Sequence, residues 1–187
     1  MANPIALVDL DDTVADYSFG MHLTLDKLYP ASYGLFPPNL HGDGPDHIEY
    51  LRELIYDSSD WWNELSIKVE GDEIVDRLMA DGYDVKFITY ARLTCPNAWF
   101  GKVKWVTGFY PDNELIILSG KRDHIYGDLL FDDNVDNMTG WLDFWPLGIG
   151  VLSGIPENRE YKHERCIRYE NNIEQVLAFI NEDRKTC

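Results

Sequence analysis

The segment I-A-L-V-D-L-D-D-T, residues 5–13, ends in three carboxylates, Asp9, Asp11 and Asp12, followed by the hydroxyl of Thr13. Carboxylates two residues apart can face one cleft and share a divalent cation. A carboxylate can also attack phosphorus once the phosphoryl charge is neutralised, giving an aspartyl phosphate. Asp9 is assigned as that nucleophile. Asp11 would protonate the leaving oxygen and later take a proton from the attacking water, a task for a carboxyl tuned by its surroundings. Taken alone, such a run also suits a turn or a helix cap. A helix-loop-helix calcium loop begins D-x-D too, but it needs Gly sixth and Glu twelfth, where this chain has Val14 and Gly20.

Further polar residues follow other apolar runs. Thr89, with Tyr90 beside it, closes one run, Lys121 lies shortly after another that ends at Leu118, and Asp132 with Asp133 closes a third. Thr89, Tyr90 and Lys121 are candidate phosphate contacts, because phosphoryl transfer depends chiefly on positioning and charge stabilisation. Asp9, Asp11, Asp132 and Asp133 are candidate ligands for Mg2+, a hard cation that prefers oxygen donors. Each residue alone has an ordinary explanation; their combination and order are specific.

These residues need a scaffold that brings run ends together. Residues 5–8 have the continuous apolar character of a strand covered on both faces. Helical spacing recurs over 13–29, 46–56, 70–81, 96–110 and 172–180, the last capped by Asn171 or Asn172, and strands are expected at 83–88, 115–118, 129–131 and 148–152. Alternating strands and helices predict an α/β fold with a parallel, Rossmann-like sheet flanked by helices. Functional groups then gather at the strands' carboxyl ends. Residues 30–46, rich in proline and glycine, form a long loop of the kind that carries function.

Composition narrows the partners. A chain of 187 residues can bury about 70% of its unfolded surface in a single domain. Sixteen basic against 33 acidic side chains leave a net charge of −17, which opposes long nucleic acid and anionic membranes. A small phosphate ester remains suitable if a metal and a few cations reverse the local potential. Cys95, Cys166 and Cys187 are widely spaced and read as reduced thiols. No apolar run approaches a membrane span, and a soluble, cytoplasmic protein is expected. The sequence leaves assembly open, with a homodimer among the options.

The motifs D-L-D-D-T (9–13), F-I-T (87–89), Lys121 and D-L-L-F-D-D (128–133) resemble those of the haloacid dehalogenase-like phosphatases. Within them, D-L-D-D-T-V-A-D-Y and I-Y-D-S-S-D-W-W-N-E-L (55–65) look most like the 5'(3')-deoxyribonucleotidases. The resemblance implies that Asp9 is phosphorylated, that Asp11 is the acid and base and lends its carbonyl to magnesium, and that Asp133 is the third protein ligand. Asp132 would act from behind or through water. Lys102, in G-K-V-K-W, matches a lysine of the same helix in that family and is a candidate phosphate contact. The family usually has Gly where this chain has Asp12, whose side chain would point away or cap the next helix. The spacing from Lys121 to Asp128 is one residue longer than the family's, so Arg122 is an alternative to Lys121.

The resemblance also divides the chain into a core of residues 1–13 and 83–187 and a small helical cap of residues 14–82. Tyr17, Tyr56, Trp61 and Trp62 fall in that cap, where they could stack on a nucleobase or pack the cap core. The expected activity is hydrolysis of a (deoxy)nucleoside monophosphate, with another small ester such as a sugar phosphate as the alternative. A signalling receiver also uses acids, Thr and Lys, but it puts its acidic pair on the first strand and its nucleophile on the third. A glycosyltransferase D-x-D leaves Thr89, Lys121 and Asp133 unexplained.

Overall fold

In the computed structural model, which describes residues 2–28, 46–170 and 172–183, the first apolar run forms strand β1, Ile5–Asp9. Consecutive side chains of a strand point to opposite faces, and both faces here are covered. Ala6 and Val8 join Phe87, Phe131 and Val151 in one buried cluster, while Leu7 joins Ile88, Leu130 and Leu152 in another. An unbroken apolar run is what a doubly covered strand requires.

Five more strands complete a parallel sheet with it: β2 (Asp84–Tyr90), β3 (Glu114–Leu118), β4 (Leu129–Asp132), β5 (Ile149–Ser153) and β6 (Cys166–Tyr169). Their order across the sheet is β3-β2-β1-β4-β5-β6. The chain winds from β1 to one edge, then returns to β4 on the other side of β1. Between β1 and β4, therefore, successive connections diverge and leave a crevice at the carboxyl ends. Val8 pairs with Phe131 there, which brings Asp9 and Asp132 to the same level as the next residue of each strand.

The helices are α1 (Tyr17–Leu28), α2 (Asp46–Tyr56), α3 (Ser59–Asn63), α4 (Val69–Ala80), α5 (Pro96–Phe109), α6 (Val135–Phe144) and α7 (Ile173–Asp183). Most match the expected spans within a few residues. Helix α1 starts at Tyr17 rather than Thr13 because residues 11–15 turn back on themselves. Asp12 sits at φ 58°, a left-handed conformation that Asp tolerates better than most residues. Its carboxylate accepts hydrogen bonds from the Ser18 amide (2.8 Å) and hydroxyl (2.5 Å), tying down the start of α1 as expected.

Three elements, α3, α6 and β6, lie outside the expected set. Ile74, Val75 and Leu78 of α4 pack in the same cluster as Val8 and Val85, and Tyr56 of α2 and Trp62 of α3 join it. Helices α1 and α2 also share Met21, Leu25 and Ile55 in a second, small cluster. Asn172 caps α7 by accepting from the Gln175 amide at 3.2 Å, and Cys95 and Cys166 are free thiols. The expectations for residues 30–45, Asn171 and Cys187 lie outside the described residues. Among those described, no helix is long and apolar enough to cross a membrane.

Gly71 fixes how closely α4 approaches the turn that follows β1. A Cβ there would lie 2.2 Å from the Thr13 carbonyl oxygen and 2.9 Å from Val14 Cα. Ala inside a helix normally stabilises relative to Gly. Here the sign reverses: Gly71→Ala should cost about 1–3 kcal/mol by overpacking, read as a lowered denaturation midpoint. An unchanged or raised midpoint would show that the turn gives way freely.

Candidate active site

The crevice between β1 and β4 collects the acids from separate strand ends. Asp9, buried with 3% exposure, Asp132 and Asp133 present carboxylate oxygens that all lie within 4.8 Å of one another. Asp132 is committed on both sides. One oxygen accepts from the Asn134 amide (2.8 Å) and the Asn137 side chain (3.3 Å) at the start of α6, the other from Arg122 (2.6 Å). The Asp133 carbonyl is held by Asn158 at 2.7 Å.

Arg122 is the cation of this crevice. Its Nη1 donates to Asp9 Oδ1 at 2.5 Å as well as to Asp132, and Asp9 Oδ2 faces the Thr13 hydroxyl at 3.5 Å. Neighbouring Lys121 is exposed. Of the two candidates left by the sequence, it is therefore Arg122 that reaches Asp9.

The second cation points elsewhere than expected. Lys102, wholly buried on α5, donates to Asp11 Oδ2 (2.6 Å), Thr89 Oγ1 (2.8 Å) and the Tyr90 carbonyl (2.7 Å). Tyr90 thus takes part through its backbone, while its side chain is largely exposed. Thr89 is fully buried at the end of β2, beside the strand that carries Asp9.

The aromatics form one packed group. Tyr17 stacks on Trp62 (5.3 Å between centroids), and Trp61 and Tyr56 meet Trp62 edge-on at 5.0 and 5.4 Å. Trp62 is 1% exposed and donates its indole N–H to the Tyr56 carbonyl at 2.7 Å; Tyr56 is also buried. Tyr17 and Trp61 are half-buried, and Trp61 donates to Thr24. Any contact with a flat ligand thus falls to Tyr17 and Trp61, because Trp62 is enclosed by its neighbours.

Burial dominates the electrostatics. It lifts the Asp9 carboxyl to about 7 even though Arg122 opposes the shift. It lifts Asp133 to about 9, aided by the charges of Asp9 and Asp132. Asp132 is raised for the same first reason. Carboxylates confined this closely, with one arginine against two of them, suit a hard divalent cation with oxygen ligands, whose charge would offset their repulsion.

That balance sets a pH dependence. With Asp9 and Asp133 raised from an ordinary 3.8, the folded protein keeps protons that the unfolded chain has already released. Without metal, stability should then fall as pH rises from about 4 to 9. Thermal melts in chelator should drop between about pH 4 and 9, most steeply below about pH 7 where both groups contribute, and magnesium should restore most of the loss by binding the folded form. Parallel melting curves with and without magnesium would contradict this electrostatic account.

Solved structures with the same arrangement of strands and helices are haloacid dehalogenase-like hydrolases. One, from Xanthomonas campestris, is 12% identical, with TM-score 0.60, covering 98% of this chain and 99% of the other. A second, the putative hydrolase YfnB from Bacillus subtilis bound to magnesium, is 11% identical, with TM-score 0.58 and coverage of 97% and 100%. A third, CbbY from Rhodobacter sphaeroides in complex with phosphate, is 10% identical, with TM-score 0.57 and coverage of 96% and 99%. The fold is thus that of the haloacid dehalogenase-like hydrolases.

Within that fold the sequence is more specific. Residues 3–181 match the family described as 5' nucleotidase, deoxy (pyrimidine), cytosolic type C protein, and the chain belongs to that family. No curated protein matches it.

Proposed function

We propose that the protein is a magnesium-dependent phosphatase acting on (deoxy)nucleoside monophosphates, with α1–α3 as the cap over its site. The observation that carries this reading is the convergence of Asp9, Asp132, Asp133 and Arg122 in the crevice where the sheet's connections diverge. The family match supports a deoxynucleotide, and its description favours a pyrimidine.

Asp9 is the nucleophile in this reading. Its carboxylate attacks phosphorus while Asp11 gives a proton to the ester oxygen that leaves as the nucleoside hydroxyl. Asp11 then takes a proton from water, which attacks the aspartyl phosphate, releases phosphate and restores Asp9. Arg122 and the Thr89 hydroxyl steady the phosphoryl oxygens. Asp9, Asp133 and the Asp11 carbonyl would hold magnesium, with Asp132 behind them. The ion supplies charge neutralisation that lets a carboxylate approach a phosphate dianion. Tyr17 and Trp61 offer the half-buried ring surface for a base.

The test is phosphate release from a panel of ribo- and deoxyribonucleoside monophosphates and sugar phosphates, with magnesium and with chelator. Magnesium-dependent turnover favouring a deoxyribonucleotide is expected. Turnover of sugar phosphates with none of nucleotides would overturn the substrate assignment.

A further inference from the structure

We infer that Lys102 is the positioning residue for Asp11 and Thr89, its ammonium fixing which oxygen of Asp11 serves the leaving group, and is not a phosphate ligand. This deepens the phosphatase reading and rests on it.

An ammonium has three N–H donors. Those of Lys102 meet three acceptors at bonding distance: Asp11 Oδ2 at 2.6 Å, Thr89 Oγ1 at 2.8 Å and the Tyr90 carbonyl at 2.7 Å. No donor remains for a phosphate oxygen. The charge is further enclosed by the Trp62 ring, with Nζ 4.3 Å from the centroid, a favourable cation–π distance. Gly101 makes that approach possible, since a Cβ there would sit 2.6 Å from Trp62 Cβ and 2.8 Å from the Ser59 carbonyl oxygen. The lysine is thus caged between α3, the end of β2 and Asp11.

Two consequences follow for the reacting groups. With Oδ2 of Asp11 pinned by Lys102, Oδ1 is enclosed and has no hydrogen-bond partner among the described residues. Oδ1 is then the oxygen that carries the proton. As the bond from Asp9 to phosphorus forms and the phosphorus–ester oxygen bond breaks, that proton passes to the ester oxygen, and Asp11 is left as a carboxylate paired with Lys102. Thr89 Oγ1 already accepts from Lys102, so its own hydrogen is left to donate to a phosphoryl oxygen.

Leaving-group dependence separates positioning from phosphate binding. Formation of the aspartyl phosphate is read by kcat/KM. A nucleoside alkoxide needs the proton from Asp11, whereas p-nitrophenolate departs without one. Lys102→Met should lower kcat/KM for a deoxynucleoside monophosphate about 10²-fold, the scale of general acid catalysis, and by only a few-fold for p-nitrophenyl phosphate. Lys102→Arg keeps the charge but its planar fork cannot address the same three acceptors. It should show the same selective loss, and it carries the comparison if the Met variant does not fold. Equal losses on both esters, or no loss on either, would overturn the inference. Wild-type protein inactive on both esters with magnesium would instead strike the phosphatase reading, before any Lys102 variant is made.

Discussion

Asp9→Asn should reduce turnover by about 10⁴-fold or more, the usual cost of deleting a nucleophile, while leaving the fold intact. The amide keeps an oxygen where Arg122 Nη1 donates at 2.5 Å, so the crevice retains its hydrogen bond. Stability should even gain above neutral pH in the absence of metal. Burial raises the Asp9 carboxyl to about 7, which means its charged form is disfavoured in the folded state. The neutral amide is free of that penalty, and a higher melting temperature at about pH 8 in chelator is the expected result. Phosphate release like that of the wild type would refute the nucleophile assignment. Loss of activity with loss of fold would contradict the electrostatic part of the argument.

Arg122→Met should produce the second large effect, on stability as well as on turnover. One nitrogen, Nη1, bridges Asp9 at 2.5 Å and Asp132 at 2.6 Å, and the side chain is 10% exposed. Deleting one partner of a buried ion pair typically costs about 3–5 kcal/mol because the remaining charge has no counterion. Activity should fall about 10²–10³-fold with the loss of a charge aimed at the phosphoryl group. Since both bonds pass through a single nitrogen, Arg122→Lys should recover much of the stability. Lys121→Met, at an exposed position, should change stability by no more than about 0.5 kcal/mol. Denaturant titrations and steady-state kinetics on the three variants check the assignment, and a greater loss at Lys121 than at Arg122 would reverse it.

How far the sequence showed this can be judged from particular residues. The strand carrying Asp9 was legible because a run covered on both faces must be apolar at every position. Helix α2 was legible because its apolar spacing is regular; its expected and observed spans coincide. Helix α6 escaped notice although it carries a signal, Asn134 as cap followed by Met138, Trp141 and Leu142 at helical spacing. Strand β6 is a short, half-buried edge whose arginine interrupts the pattern.

At the site, the acids could be named because their positions at strand ends are local facts. Their cations could not be assigned. Arg122 and Lys121 are adjacent, and only the path of the loop after β3 decides which side chain enters the crevice. The direction of Lys102 depends on the fit of α5 against α3, a long-range matter in which Gly101 permits close approach. Likewise, the pairing of Trp61 and Trp62 is plain in the sequence, but the enclosure of Trp62 by Tyr17 and Tyr56 arises only in three dimensions.

The most direct measurement is a crystal structure of the protein treated with magnesium and beryllium trifluoride, a mimic of the phosphorylated carboxylate. Beryllium should be bonded to a carboxylate oxygen of Asp9, with a cation held by Asp133 beside it and Arg122 against the fluorides. An adduct on any other side chain, or an Asp9 adduct with no cation adjacent, would contradict the account.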